Sequence, residues 1–213
     1  QRETLGHLQS AYCKGQAKSV TKAHHNCFRE LQHDLASNAG GKDEWSFVTL
    51  EQEETLQTSW LRHDLNDICT MEALDEMIKT FEKKEKAEEG DEFMHEADER
   101  DWARTRPDGL AISRKTKTLI IIEYKRRSDT WPDYKQRGEK AANKQYEKVR
   151  KALEEKGADT GWTVQQVNLV MGTRSIEVSS WNANMAVFGI DKAQADKMRG
   201  KHMKRLLAEH DFV

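Results

Sequence analysis

Residues Arg106 to Arg126 read RPDGLAISRKTKTLIIIEYKR. Within them Thr118 to Ile122 (TLIII) is a β-branched apolar run that meets Glu123, Tyr124, Lys125, Arg126 and Arg127 with no turn residue between. Continuous apolar runs mark strands covered on both faces. Charges at the end of such a strand are either solvated or gathered at the mouth of a site. Just upstream, Pro107 to Ile112 reads as a short strand and Ser113 to Lys117 as a polar turn, so the two apolar segments are expected to pair as a hairpin.

Outward from this hairpin the chain is mostly helical. The first forty residues carry apolar positions at helical intervals and end at the breaker Asn38-Ala39-Gly40-Gly41. Glu44 to Leu50 fits a short strand or the entry to a helix. Glu53 to Lys86 is rich in helix formers, with Leu65, Ile68, Leu74, Ile78 and Phe81 in helical phase. After the hairpin, Ser128 to Gly138 reads as a loop. Glu139 to Lys156 reads as a helix closed by Gly157, and Trp162 to Met171 as a strand. Short strands are expected at Ile176 to Val178 and Met185 to Phe188, then a basic amphipathic helix from Asp191 to His210. The expected fold is α/β, a mixed sheet flanked by helices. A helical N-terminal region spans residues 1–60, and the α/β core with its C-terminal helix spans 61–213.

Apolar residues make up 36% of the 213-residue chain and charged residues 34%, so the core is modest and the surface polar. No stretch reaches the roughly 20 apolar residues that span a bilayer. Three widely spaced cysteines and no CxxC pair argue for a reducing interior over a disulfide framework. No secretory signal is evident and Gln1 implies a processed or truncated start. The expected setting is intracellular, nucleus or cytoplasm, with the segment part of a larger polypeptide. Net charge is −2, but it is unevenly spread. Glu72 to Asp101 holds thirteen acids against five bases, and Ser113 to Lys148 holds eleven bases against five acids. Two solvated faces would account for this, and so would a basic surface beside an acidic centre that handles phosphate.

The hairpin then acquires a chemical reading. Asp108 at the start of one strand and Glu123 at the end of the next bring two carboxylates together across paired strands. Like charges that close repel unless a cation lies between them, and hard oxygen donors suit Mg²⁺ or Mn²⁺. Lys125, two residues beyond Glu123, leaves the same face of the strand, where its ammonium can orient an attacking water. The acid-x-Lys string alone is weak, because Glu82-Lys83-Lys84 and Glu154-Glu155-Lys156 match it too. Only Glu123-Tyr124-Lys125 follows a strand-like run with an Asp upstream on the partner strand.

Pro107-Asp108 with Glu123-Tyr124-Lys125 resembles the PD-(D/E)XK, or restriction-endonuclease-like, nuclease superfamily, over roughly Thr80 to Gly172. The blocks RPDG, EYKR, ANKQY and GTR look like endonuclease domains of eukaryotic mobile elements and of some secreted effector proteins. The resemblance implies a divalent-ion-dependent nuclease, with DNA the expected substrate and RNA the rarer one. Asp108, Glu123 and the Tyr124 carbonyl would bind metal, and Lys125 would position water. Gln145 or Tyr146 would support the site from the following helix, although the two are adjacent where the family pattern has them a turn apart. Many members add an acid from the helix before the first core strand, which points to Glu76 and, behind it, Glu72. Two-strand cleavage by this fold often pairs two sites, so a homodimer is among the expected assemblies.

Each residue also has a plainer reading. Asp108 in Pro-Asp-Gly is a common turn residue. Arg126, Arg127 and Arg174 would contact phosphate or solvate strand ends; Trp131 would stack on a base or cap the core. His24-His25 and His33 have no partner at a zinc-like interval. The alternative function is a catalytically inactive nucleic-acid-binding or protein-interaction module of the same fold.

Overall fold

The computed structural model describes residues 17–40, 44–49, 65–89, 107–127, 132–172 and 176–208. Their elements, in chain order, are α1 (Ala17–Asn38), β1 (Ser46–Thr49), a 3₁₀ turn (Leu65–Asp67), α2 (Met71–Glu89), β2 (Gly109–Ser113), β3 (Thr118–Arg127), α3 (Tyr134–Thr160), β4 (Thr163–Gly172), α4 (Val178–Val187) and α5 (Lys192–Ala208). The strands form one mixed sheet in the order β1-β2-β3-β4. β1, β2 and β3 run antiparallel in sequence, and β4 is parallel to β3. α3 makes the long connection that a parallel pair requires.

β3 is the strand that organises the rest, because both of its faces are covered. Ile120, Ile122 and Tyr124 pack with Phe28, Leu31 and Leu35 of α1 and with Trp181, Met185, Met198 and Leu206 of α4 and α5. Leu119 and Ile121 face the other way, onto Leu74 and Ile78 of α2 and Tyr146, Val149 and Leu153 of α3. Period-2 alternation on a strand buried twice gives the unbroken apolar run TLIII. The hairpin is confirmed, with Gly109 opposite Ile122 and Ser113 opposite Thr118.

α1 and β1, which fall in the helical N-terminal region read over residues 1–60, pack into the sheet and its core. Gly109 shows how closely: a Cβ there would lie 2.8 Å from Phe28 Cζ and 3.0 Å from the Val48 carbonyl oxygen. Three expected element bounds are corrected. α3 starts at Tyr134, inside the expected loop, and runs past Gly157 to Thr160. Its stop is Gly161, whose φ of 75° only glycine adopts without strain, while Trp162 N–H closes onto the Gly157 carbonyl at 2.7 Å. Finally, no strand forms at 176–178 or 185–188. Trp181, Met185 and Phe188 recur at helical spacing and are buried, so the segment is helix α4 and its exit.

Candidate functional site

The hairpin register, continued one residue past β2, sets Asp108 opposite Glu123. There the ladder changes character. Tyr124 N–H donates to Asp108 Oδ2 at 2.6 Å, so a carboxylate stands where a further strand residue would offer a carbonyl. In extended chain the N–H and C=O of one residue leave by the same edge. The Tyr124 carbonyl is therefore directed past the end of β2, on the Asp108 side. The Tyr124 ring goes to the opposite face and is buried in the core.

Glu123 and Lys125 leave β3 on the face shared with α3, and there a closed ring of hydrogen bonds forms. Lys125 Nζ donates to Glu123 Oε1 (2.6 Å) and to Gln145 Oε1 (3.1 Å). Gln145 Nε2 donates to the Tyr146 hydroxyl (2.9 Å), and that hydroxyl donates to Glu123 Oε2 (2.7 Å). Each of the four contacts pairs a donor with an acceptor. The adjacency of Gln145 and Tyr146 is what closes the ring: Tyr146 is buried beneath Glu123, and exposed Gln145 reaches Lys125 over it.

Glu123 is only 5% exposed. Burial, and after it the neighbouring Asp108 carboxylate, pushes its pKa up, against the Lys125 charge and the hydrogen bonds from Lys125 and Tyr146. Two acids thus share a low-dielectric corner in which one destabilises the charge on the other. A polar pocket of about 270 Å³ opens over this corner, lined by His24, Asp108, Glu123, Tyr124, Lys125, Arg126 and Arg127. Arg127 leaves β3 on the same face as Glu123, and Arg126, one residue before it, on the opposite face, where its charge reaches His202 of α5. The donor set fits a small divalent cation: two carboxylates, a directed carbonyl and an open mouth. Among the described residues, however, no three His, Cys, Asp or Glu side chains converge as a ready-made ligand cage.

The structure therefore brings together Asp108, Glu123, Tyr124, Lys125, Gln145 and Tyr146, with both arginines at the rim. It does not bring Glu76 to the pocket. Glu76 and Glu72 are exposed on α2, whose buried side is formed by Leu74 and Ile78. Trp131 and Arg174 lie outside the described residues.

His24 was passed over for want of a zinc-like interval, yet its Nε2 lies 3.3 Å from Asp108 Oδ1. The signal was its helical phase with Cys27, Phe28 and Leu31, which puts it on the buried face of α1. Asn168, opposite Glu123 on β4, was also missed. It donates to Asn143 Oδ1 (2.7 Å) and accepts from Gln166 Nε2 (2.7 Å), bordering the site with amides.

No helix among the described residues is long and apolar enough to cross a membrane. Comparison of the chain with protein-family models, curated proteins and solved structures finds no match.

Proposed function

We propose that this chain is a Mg²⁺- or Mn²⁺-dependent nuclease of the restriction-endonuclease-like fold, an endonuclease that hydrolyses phosphodiester bonds in DNA. One observation carries the reading: Asp108, just before β2, faces Glu123 within β3, with Lys125 Nζ fixed 2.6 Å from Glu123 by the ring through Gln145 and Tyr146. Asp108, Glu123 and the Tyr124 carbonyl would hold the cation. When bound, that cation would supply Lewis-acid polarisation of the phosphate and lower the pKa of an attacking water.

The remaining work falls to the chain. Lys125 is half-buried and held on two sides, so its third N–H is left to point a water at phosphorus. Tyr146 favours the ionised form of Glu123 by donating to it, against the burial that raises its pKa, and Gln145 keeps Tyr146 and Lys125 in register. Arg127 at the rim would pair with a phosphate of the bound strand. Water oxygen forms the new P–O bond, the P–O bond to the leaving sugar oxygen breaks, and the products are a phosphomonoester and a hydroxyl.

The test uses plasmid and single-stranded DNA with Mg²⁺ or Mn²⁺, with and without chelator. Wild type cuts only with the ion present, and Asp108→Ala does not cut. Indistinguishable outcomes from the two proteins, including no cleavage by either, refute the proposal. A second reading has an observation of its own, since the Lys125 ammonium already neutralises Glu123. The site could then serve an inactive nucleic-acid-binding module. DNA binding that persists in chelator with no turnover would establish that reading instead.

A further inference from the structure

We infer that His24 is a positioning residue for the cation site, so that α1 belongs to the functional apparatus although His24 lies 84 residues before Asp108. The inference rests on the reading of Asp108 as a cation ligand.

A carboxylate only accepts hydrogen bonds, so His24 Nε2 must carry the proton it shares with Asp108 Oδ1. Tyr124 N–H holds Oδ2. The Asp108 carboxylate is thus held at both oxygens, from a helix on one side and a strand on the other. Each oxygen keeps a second lone pair, and Asp108 lines the pocket.

The donor itself is held in place by packing. The His24 ring lies against the Tyr124 ring with centroids 5.1 Å apart, and Phe28, one turn on, packs 6.0 Å from that same ring. Leu31 and Leu35 anchor the rest of α1. At 3.3 Å the contact is longer than a strong charge-assisted hydrogen bond and contributes little to folding. Its consequence is orientation. Carboxylates that ligate metals are themselves hydrogen-bonded, and losing that outer partner weakens metal binding by about 10–100-fold.

The experiment titrates the chelator-stripped full chain with Mn²⁺, reading free ion by electron paramagnetic resonance, and compares wild type with His24→Phe, His24→Gln and Asp108→Asn. Phe keeps the ring packing without the N–H, and Gln offers an N–H at the same number of bonds from Cβ. The dissociation constant is expected to rise about 10–100-fold in His24→Phe and to return most of the way in His24→Gln. Melting temperatures in chelator should match wild type for both. Wild-type Mn²⁺ affinity in His24→Phe, with binding lost in Asp108→Asn, overturns this inference and leaves the proposed function standing. Equal weakening in His24→Phe and His24→Gln at unchanged melting temperature also overturns it. Wild-type affinity in Asp108→Asn overturns the site reading beneath it.

Discussion

Acidification should weaken the fold through one side chain, His202. It is 1% exposed on α5, its Nε2 shares a 3.1 Å hydrogen bond with the Tyr124 hydroxyl, and its ring stacks on Trp181 at 6.1 Å. Its Nδ1 is buried with no hydrogen-bond partner among the described residues. Burial first, then the positive charges of Arg205 and Arg126, hold its pKa down from 6.5 to about 4. A histidine depressed in the folded state stabilises fully above its unfolded pKa. The unfolded chain takes up the proton first as pH falls, so stability is lost between 6.5 and about 4. That difference corresponds to a loss of about 2 kcal/mol from pH 7 to 5, approaching about 3 kcal/mol near pH 4. Urea unfolding of wild type and His202→Gln at pH 7, 6 and 5 measures it, because glutamine does not titrate there. The variant should lose about 2 kcal/mol less than wild type over this range. Equal losses in the two proteins would refute the assignment.

The site and its scaffold give further outcomes. With Mg²⁺ at 100 times its dissociation constant, wild type gains about 2.7 kcal/mol and Asp108→Asn gains none, as read by melting with and without the ion. Lys125→Met should slow cleavage by about 10²–10³-fold, the usual cost of one preorganised donor. A variant that cuts at the wild-type rate would exclude Lys125 from the chemistry. Tyr146→Phe removes a buried donor from Glu123 and should cost about 1.5–3 kcal/mol in denaturant unfolding. Gly109→Ala drives a methyl group into Phe28 and the Val48 carbonyl and should cost about 1–3 kcal/mol by the same measurement.

The sequence disclosed what depends on local period and missed what depends on docking. TLIII could be read as a central strand because burial on two faces leaves an unbroken apolar run, and Asp108 could be placed opposite Glu123 because a short hairpin fixes register. The stripe Cys27, Phe28, Leu31, Leu35 showed that α1 has a buried face but not which surface it covers, so His24 stayed hidden. Two glycines competed to end α3. Gly157 packs against Trp162 and Val164, which the sequence does not reveal, and the left-handed turn falls at Gly161. α4 was read as strand fragments because its buried residues are few and sit in short apolar clusters. Glu76 shares the phase expected of a site acid, yet α2 turns that side to solvent.

The alternation along β3 carries a constraint on how such a chain can vary. The side chains of 123 and 125 serve the pocket while those of 122 and 124 serve the core, so parity is shared between chemistry and packing. Inserting one residue anywhere in the 118–122 run would send the acid and the lysine into the hydrocarbon layer and bring the tyrosine out. Insertions in the exposed 114–117 turn leave that parity intact. Length variation among descendants of this sequence should therefore collect in that turn and be purged a few residues downstream.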